Sequence, residues 1–208
     1  MCIRDSPCSM EISYPDGREG GQANCGIRIY GGINRRPDIT PKHTLRLLFK
    51  KQYGPGRLRF PLYPDSEVDS FDTLVLRGHH GNSWLNQNLS QRTNAQYHRD
   101  EWTKETQLAM GQPSVHGTFM HLYLNGLYWG VYNIVERPTA AFSASYSGGE
   151  KEDYDALNSG EAVDGDRQAW NTMMSIAEGG LQSAEAYEEL SAWCDIPNLI
   201  DYMILQMG

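Results

Sequence analysis

Asn125-Gly126 lies between two runs that alternate in polarity, His116 to Leu124 and Leu127 to Arg137. No other feature of the chain constrains its fold as strongly. Both residues of this dipeptide tolerate positive φ, which a two-residue type I′ turn requires, so the flanking runs are expected to pair as an antiparallel hairpin. Counted outward from the turn, Leu124 is expected opposite Leu127, Leu122 opposite Trp129 and Met120 opposite Val131, which makes one face apolar. The other face is then expected to carry Phe119, His121, Tyr123, Tyr128, Tyr132 and, farther along, Glu136. Such a row of rings, hydroxyls and one carboxylate is the make-up of a ligand-facing wall, and a solvated face rich in tyrosine is the alternative.

The segments before the hairpin also read as strands. Cys25 to Tyr30 and Thr44 to Lys50 alternate, with Gly31 to Pro37 as a glycine loop between them, and Asp72 to Arg77 forms a further strand that ends at Gly78-His79-His80-Gly81-Asn82. A helix is expected over 91–110, stopped by Gly111 and Pro113. After Pro138 the pattern becomes helical: Ala140 to Tyr146, Asp166 to Ala177, Ser183 to Ala192, and from Pro197 to the end. The expected class is α+β, with an antiparallel sheet first and helices second.

Charge and composition exclude several functions. With 26 acidic against 18 basic side chains the net charge is −8, and a pI near 5.2 argues against a nucleic-acid partner. No run approaches the roughly 20 apolar residues of a membrane-spanning helix. Cys2, Cys8, Cys25 and Cys194 include no CxxC pair, so a structural zinc site is not expected. Cys8 and Cys25 flank a turn-like Pro15-Asp16-Gly17 and could meet across two strands, either as a disulfide or as two reduced thiols. Gly-x-Ser-x-Gly and the P-loop pattern are both absent. His116 and His121 are five apart on one strand, hence on opposite faces, and cannot share a metal there. Asp153, Asp155, Asp164 and Asp166 lack the spacing of an EF-hand and read as a solvated acidic loop. Residues 1–7 differ in character from the rest of the chain and are expected to be extraneous or disordered. The apolar run on which the chain stops reads as a truncated domain.

One constellation survives. Gly31 and Gly32 allow backbone N–H groups to approach phosphate oxygens, Lys42 and Arg46 follow on the next strand, and Glu136 could hold the lysine in place. These are the parts of a kinase-like nucleotide site, and a Gly-Gly hairpin loop with a surface Lys–Glu pair is the alternative.

The same segments resemble a known family. Cys25 to Gly32, Pro41 to Leu47, Thr73 to Arg77 with Asn82-Ser83-Trp84, and above all Leu122 to Pro138 look like the CotH kinase-like family. Residues 8–208 would then be the N-terminal part of such a domain. The resemblance implies an atypical protein kinase fold that binds ATP with Mg and phosphorylates Ser or Thr on secreted or coat proteins, outside the cell or at its surface. In this chain Gly31, Gly32, Lys42, Arg46 and Glu136 would grip the nucleotide, and His121 and Tyr123 would line the floor. Lys42 and Glu136 are expected to converge on one wall. Ile33 or Asn34 stands where the family usually has a small hydroxyl residue. The magnesium-binding aspartates and the group that activates the acceptor would lie beyond Gly208, so no catalytic residue is assigned here. The alternative is a non-catalytic extracellular surface or adhesion module that keeps the fold. A structure with Lys42 and Arg46 on the face opposite Glu136 would favour that alternative.

Overall fold

The structure is a computed structural model, and residues 5–207 are described. The chain divides into two compact units. Among the described residues the first comprises 5–102 and 115–137, the second 103–114 and 138–207.

The first unit is built on a six-stranded antiparallel sheet of β1 (Ser6–Ile12), β2 (Gly21–Tyr30), β3 (Thr44–Leu48), β6 (Thr73–Arg77), β7 (Gly117–Leu124) and β8 (Leu127–Glu136). Its order is β1-β2-β3-β6-β8-β7, and a short hairpin, β4 (Leu58–Arg59) and β5 (Ser70–Phe71), lies in the connection between β3 and β6. Alternation sends Ala23, Cys25, Leu45, Leu47, Leu74, Leu76, Tyr132 and Ile134 to one face. There they pack with Phe49, Leu58, Leu62, Tyr63 and Phe71. Each fully buried aliphatic side chain contributes about 1.5–3 kcal/mol, so this face is the core. The strand of Cys8 also joins the sheet. Ser6 and Pro7, expected to lie outside the domain, pair with Ile27 and Gly26, whereas residues 1–4 lie outside the described residues.

The Asn125-Gly126 turn forms as expected, with φ of 50° and 79°. The register beyond it does not. A bulge between Leu122 and Tyr123 pairs Leu122 with Gly130, His121 with Val131 and Met120 with Tyr132. Gly130, at φ 104°, absorbs the extra residue in a conformation that side chains other than glycine rarely adopt. The bulge therefore reverses the expected faces of Tyr132 and Val131. Tyr132 is buried in the core at 1% exposure, while Val131 is exposed.

The helix expected over 91–110 is two helices, α1 (Leu89–Thr93) and α2 (Arg99–Ala109). Thr93 Oγ1 donates to the Leu89 carbonyl and Asn94 Nδ2 to the Ser90 carbonyl. Such side-chain bonds offer the backbone an alternative to continuing the helix. The segment after them instead places Tyr97 against His79 and Phe119.

In the second unit, α3 (Ala140–Ser147), α4 (Gln168–Glu178), α5 (Ala184–Ser191) and α6 (Ile196–Met207) follow the expected helices closely. Thr139 and Ser183 cap α3 and α5 through their hydroxyl oxygens. A small hairpin, β9 (Ala156–Asn158) and β10 (Glu161–Asp164), has no counterpart among the expected elements. It turns at Ser159-Gly160, both with positive φ. The acidic loop has a structural use: Asp153 accepts from the Glu150 N–H, Asp155 from the Asp166 N–H and Asp164 from the Ala140 N–H.

Candidate functional site

The sheet face opposite the core carries charged side chains among buried valines, and the register fixes what stands on it. Arg28 pairs with Arg46, Arg46 with Val75 and Val75 with Val135, and directly opposed residues share a face. Leu74, one position away, pairs with Glu136. Arg46 and Glu136 therefore lie on opposite faces of the sheet.

Around Arg46 the structure gathers cations. Its guanidinium lies 5.7 Å from the centre of the Tyr30 ring, and that of Arg137 lies 5.5 Å from the same ring. Burial, followed by the neighbouring charges of Arg137 and Arg28, pulls the Arg46 pKa below its ordinary range. Arg46 Nε donates to Thr73 Oγ1 at 2.9 Å. Among the described residues Arg28 has one carboxylate partner, Asp5, at 3.6 Å, and Asp5 is shared with Lys50 at 2.6 Å. The Lys50 ammonium, aided by Arg28, holds the Asp5 carboxyl below the usual carboxylate range. Among the described residues Arg137 forms no ion pair. The result is an excess of positive charge on one partly desolvated patch.

A further cation faces the same way. Arg77 pairs with Asn133 in register and forms an ion pair with Asp100 in the first turn of α2, whose carboxylate also accepts from Asn82 Nδ2 at 3.4 Å. The first turn of α2 is held close to the sheet. A Cβ placed on Gly117 would stand 2.5 Å from the Glu101 carboxylate.

The residues singled out from the sequence do not form one cluster. Gly31 and Gly32 do form the loop between β2 and β3. Gly31 has φ 121°, and a Cβ there would lie 2.1 Å from Asn34 Oδ1, so glycine is required. The expected convergence of Lys42 and Glu136 is not found. Lys42 Nζ donates to the Tyr97 hydroxyl and the Val131 carbonyl, and lies 4.6 Å and 4.5 Å from the centres of the Tyr97 and Tyr132 rings. Burial lowers its pKa to about 8, and no described carboxylate pairs with it. Glu136 is buried and accepts from the His116 backbone N–H at 2.9 Å, with His116 Nδ1 at 3.1 Å. The bulge and the change of face at each residue separate the two side chains. His121 bonds the Tyr128 hydroxyl at 2.8 Å, and Tyr123 packs on the Tyr128 ring; both line the outer part of β7 rather than a floor beneath Lys42.

Sequence reasoning missed Arg28, Arg137, Tyr30, Arg77 and Asp100. The first of these was recoverable. Ile27-Arg28-Ile29 and Leu45-Arg46-Leu47 put both arginines at the polar positions of strands joined by one loop. Arg137 and the Arg77–Asp100 pair depend on contacts that no local pattern encodes. Among the described residues no three His, Cys, Asp or Glu side chains converge as a metal site, and no helix is long and apolar enough to cross a membrane.

Comparison with known proteins gives one match. No curated protein and no solved structure matches the chain. A family model described as CotH kinase protein matches residues 85–207, a span that contains α2, the β7–β8 hairpin and the helices of the second unit. Gly31, Gly32, Lys42 and Arg46 precede it. Because the match covers more than half of the 208 residues, the chain belongs to the CotH kinase protein family, whose function is kinase-like.

Proposed function

We propose that the chain carries the phosphate-gripping part of an ATP-dependent Ser/Thr protein kinase that works outside the cell. The observation that carries this reading is the gathering of Arg46 and Arg137 about Tyr30 with Arg28 directly opposite Arg46, where the Asp5 carboxylate pairs with Arg28 and Lys50 and Asp72 acts on Arg46 only as a nearby charge. Like charges brought together in a partly desolvated place cost stability unless an anion meets them. Arginines suit phosphate because their planar fork offers paired N–H donors.

The Arg77–Asp100 pair supports the same reading. Protein kinases need a strand cation tied to a helix carboxylate, which holds the cation ready for the phosphates. Here strand β6 supplies the cation and α2 the carboxylate. The residues fit a polyphosphate: Arg28, Arg46 and Arg137 would hold it, with Arg77 beside them on the same sheet face and the Gly31-Gly32 loop leaving backbone N–H groups open to approach. ATP would supply the phosphoryl group to be transferred. An oxidising extracellular setting accords with Cys8 and Cys25, whose sulfurs lie 3.4 Å apart across paired strands.

One observation favours the second reading, a non-catalytic extracellular surface or adhesion module. Glu136 is on the face opposite Arg46 and is engaged by His116, so it cannot anchor a cation at the arginine cluster. Titration with ATP separates the two. Under the kinase reading the protein binds ATP, and Arg46→Ala or Arg137→Ala weakens binding by ~1–3 kcal/mol, the cost of a lost charge-assisted hydrogen bond. Glu136→Gln leaves it unchanged. No ATP binding, or equal affinity in the arginine variants, would establish the module instead.

A further inference from the structure

β7 is the last strand of the six-stranded sheet, and among the described residues no strand pairs with its outer edge. The Glu136 N–H donates to the His116 carbonyl. By antiparallel alternation the main-chain groups of Thr118 and Met120 then face β8, and those of Gly117, Phe119 and His121 face outward. An open edge of this kind is a template for another chain.

The side chains along this edge are as unusual as its backbone. Phe119, His121 and Tyr123 follow one another at two-residue spacing on the face away from the core. Tyr128 extends the row beyond Tyr123, with ring centres 5.1 Å apart, and Tyr97 and Trp84 extend it beyond Phe119 at 5.9 Å and 6.1 Å. Tyr123 and Trp84 are more than 60% exposed. Two groups of rings, Trp84–Tyr97–Phe119 and His121–Tyr128–Tyr123, thus flank this strand, with all but the half-buried Tyr97 exposed, and exposed rings gathered in this way mark a binding surface.

We propose that the outer edge of β7 docks an extended, uncharged polypeptide segment as an added strand. The identification of that segment with the Ser- or Thr-bearing acceptor rests on the kinase reading above. Three features select a peptide strand. The two-residue repeat of Phe119, His121 and Tyr123 equals the side-chain repeat of a strand laid alongside. The outward main-chain groups need donors and acceptors at that same repeat. Beyond the near-parallel Trp84–Tyr97 pair at one end, the rings are tilted 36° to 44° from their neighbours, so no flat shelf for a stacked sugar chain runs along the strand. Neutrality follows from the strand itself: Gly117–Leu124 holds no Asp, Glu, Lys or Arg, and the Glu101 carboxylate beside Gly117 is buried, so a charged segment would lose water without gaining an accessible partner.

The test uses the full chain and a short capped peptide that alternates serine with valine and tyrosine. The same peptide N-methylated at alternate residues and cellohexaose serve as comparisons. Binding is read by tryptophan fluorescence and by amide hydrogen exchange. The expected result is saturable binding of the unmodified peptide with slowed exchange at Phe119 and His121, and a loss of roughly tenfold or more on N-methylation, because paired backbone donors carry the affinity. Phe119→Ala should weaken binding, and Phe119→Tyr should restore it. Binding indifferent to N-methylation, protection elsewhere than β7, binding of cellohexaose in place of the peptide, or no peptide binding would each overturn the proposal. ATP titration of the same sample shows whether the kinase reading survives.

Discussion

Arg28 and Arg46 stand directly opposite each other on β2 and β3, two like charges on one face of the sheet. Such pairs are destabilising, and Arg137 adds a third positive charge to the same patch. The protein should therefore be stabilised by inorganic phosphate more than by chloride at equal ionic strength. In Arg46→Leu the phosphate effect should largely vanish, while stability without phosphate stays equal or rises by up to ~1 kcal/mol. Thermal melts in the two salts check this, and an equal response of both proteins to phosphate would contradict it.

Gly130 tests the bulge. A Cβ there meets nothing within 4 Å, so space is not at issue, but φ is 104°. Gly130→Ala should cost about 1–2 kcal/mol through backbone strain alone. Gly81→Ala, inside the helical turn His80–Asn82 and with equally open surroundings, should cost less than ~0.5 kcal/mol. Urea denaturation of both variants measures the difference, and equal midpoints would mean that the bulge is absent in solution.

Lys42 gives a pH dependence whose sign is fixed. Its pKa falls from 10.5 to about 8 on folding because burial disfavours the charged amine. Between these values the unfolded chain holds the proton that the folded chain has released, so the contribution of Lys42 to stability rises with pH across that window and is adverse below it. Screening of a half-buried group limits the effect to the order of 1 kcal/mol. The difference in stability between the parent protein and Lys42→Met, followed from pH 8 to 10.5, should move in favour of the parent. A flat difference would show that the Tyr97 and Tyr132 rings keep the ammonium charged throughout.

The Cys8 and Cys25 thiols, 3.4 Å apart in register, should form a disulfide when treated with oxidised glutathione. The two thiols lose two protons and two electrons as the glutathione disulfide is reduced to two thiols. Burial, then the neighbouring Cys8, pushes the Cys25 thiol up to about 12, so the reaction should be slow at neutral pH. Closing this loop should add about 3 kcal/mol by the chain-entropy estimate. Intact mass and the melting temperature with and without reductant report it, and two thiols that stay free after prolonged oxidation would refute it.

Local patterns carried much of this architecture. Two-residue periodicity and Asn125-Gly126 determined the strands from Cys25 to Glu136, and capping residues with apolar spacing determined the helices after Pro138, because these signals act between neighbours in the chain. The glycine loop and Arg46 were legible for the same reason. Tertiary structure alone decided the rest. One extra residue at Gly130 exchanged the faces of Val131 and Tyr132, since a slip of one position inverts every side chain beyond it. It also decided that Lys42 lies between Tyr97 and Tyr132 while Glu136 turns to His116, and that Arg77 meets Asp100. Each of these partnerships joins residues far apart in sequence, and which of several carboxylates meets a given cation depends on how strands and helices stack, a matter on which the residues next to Lys42, Glu136 or Arg77 carry no information.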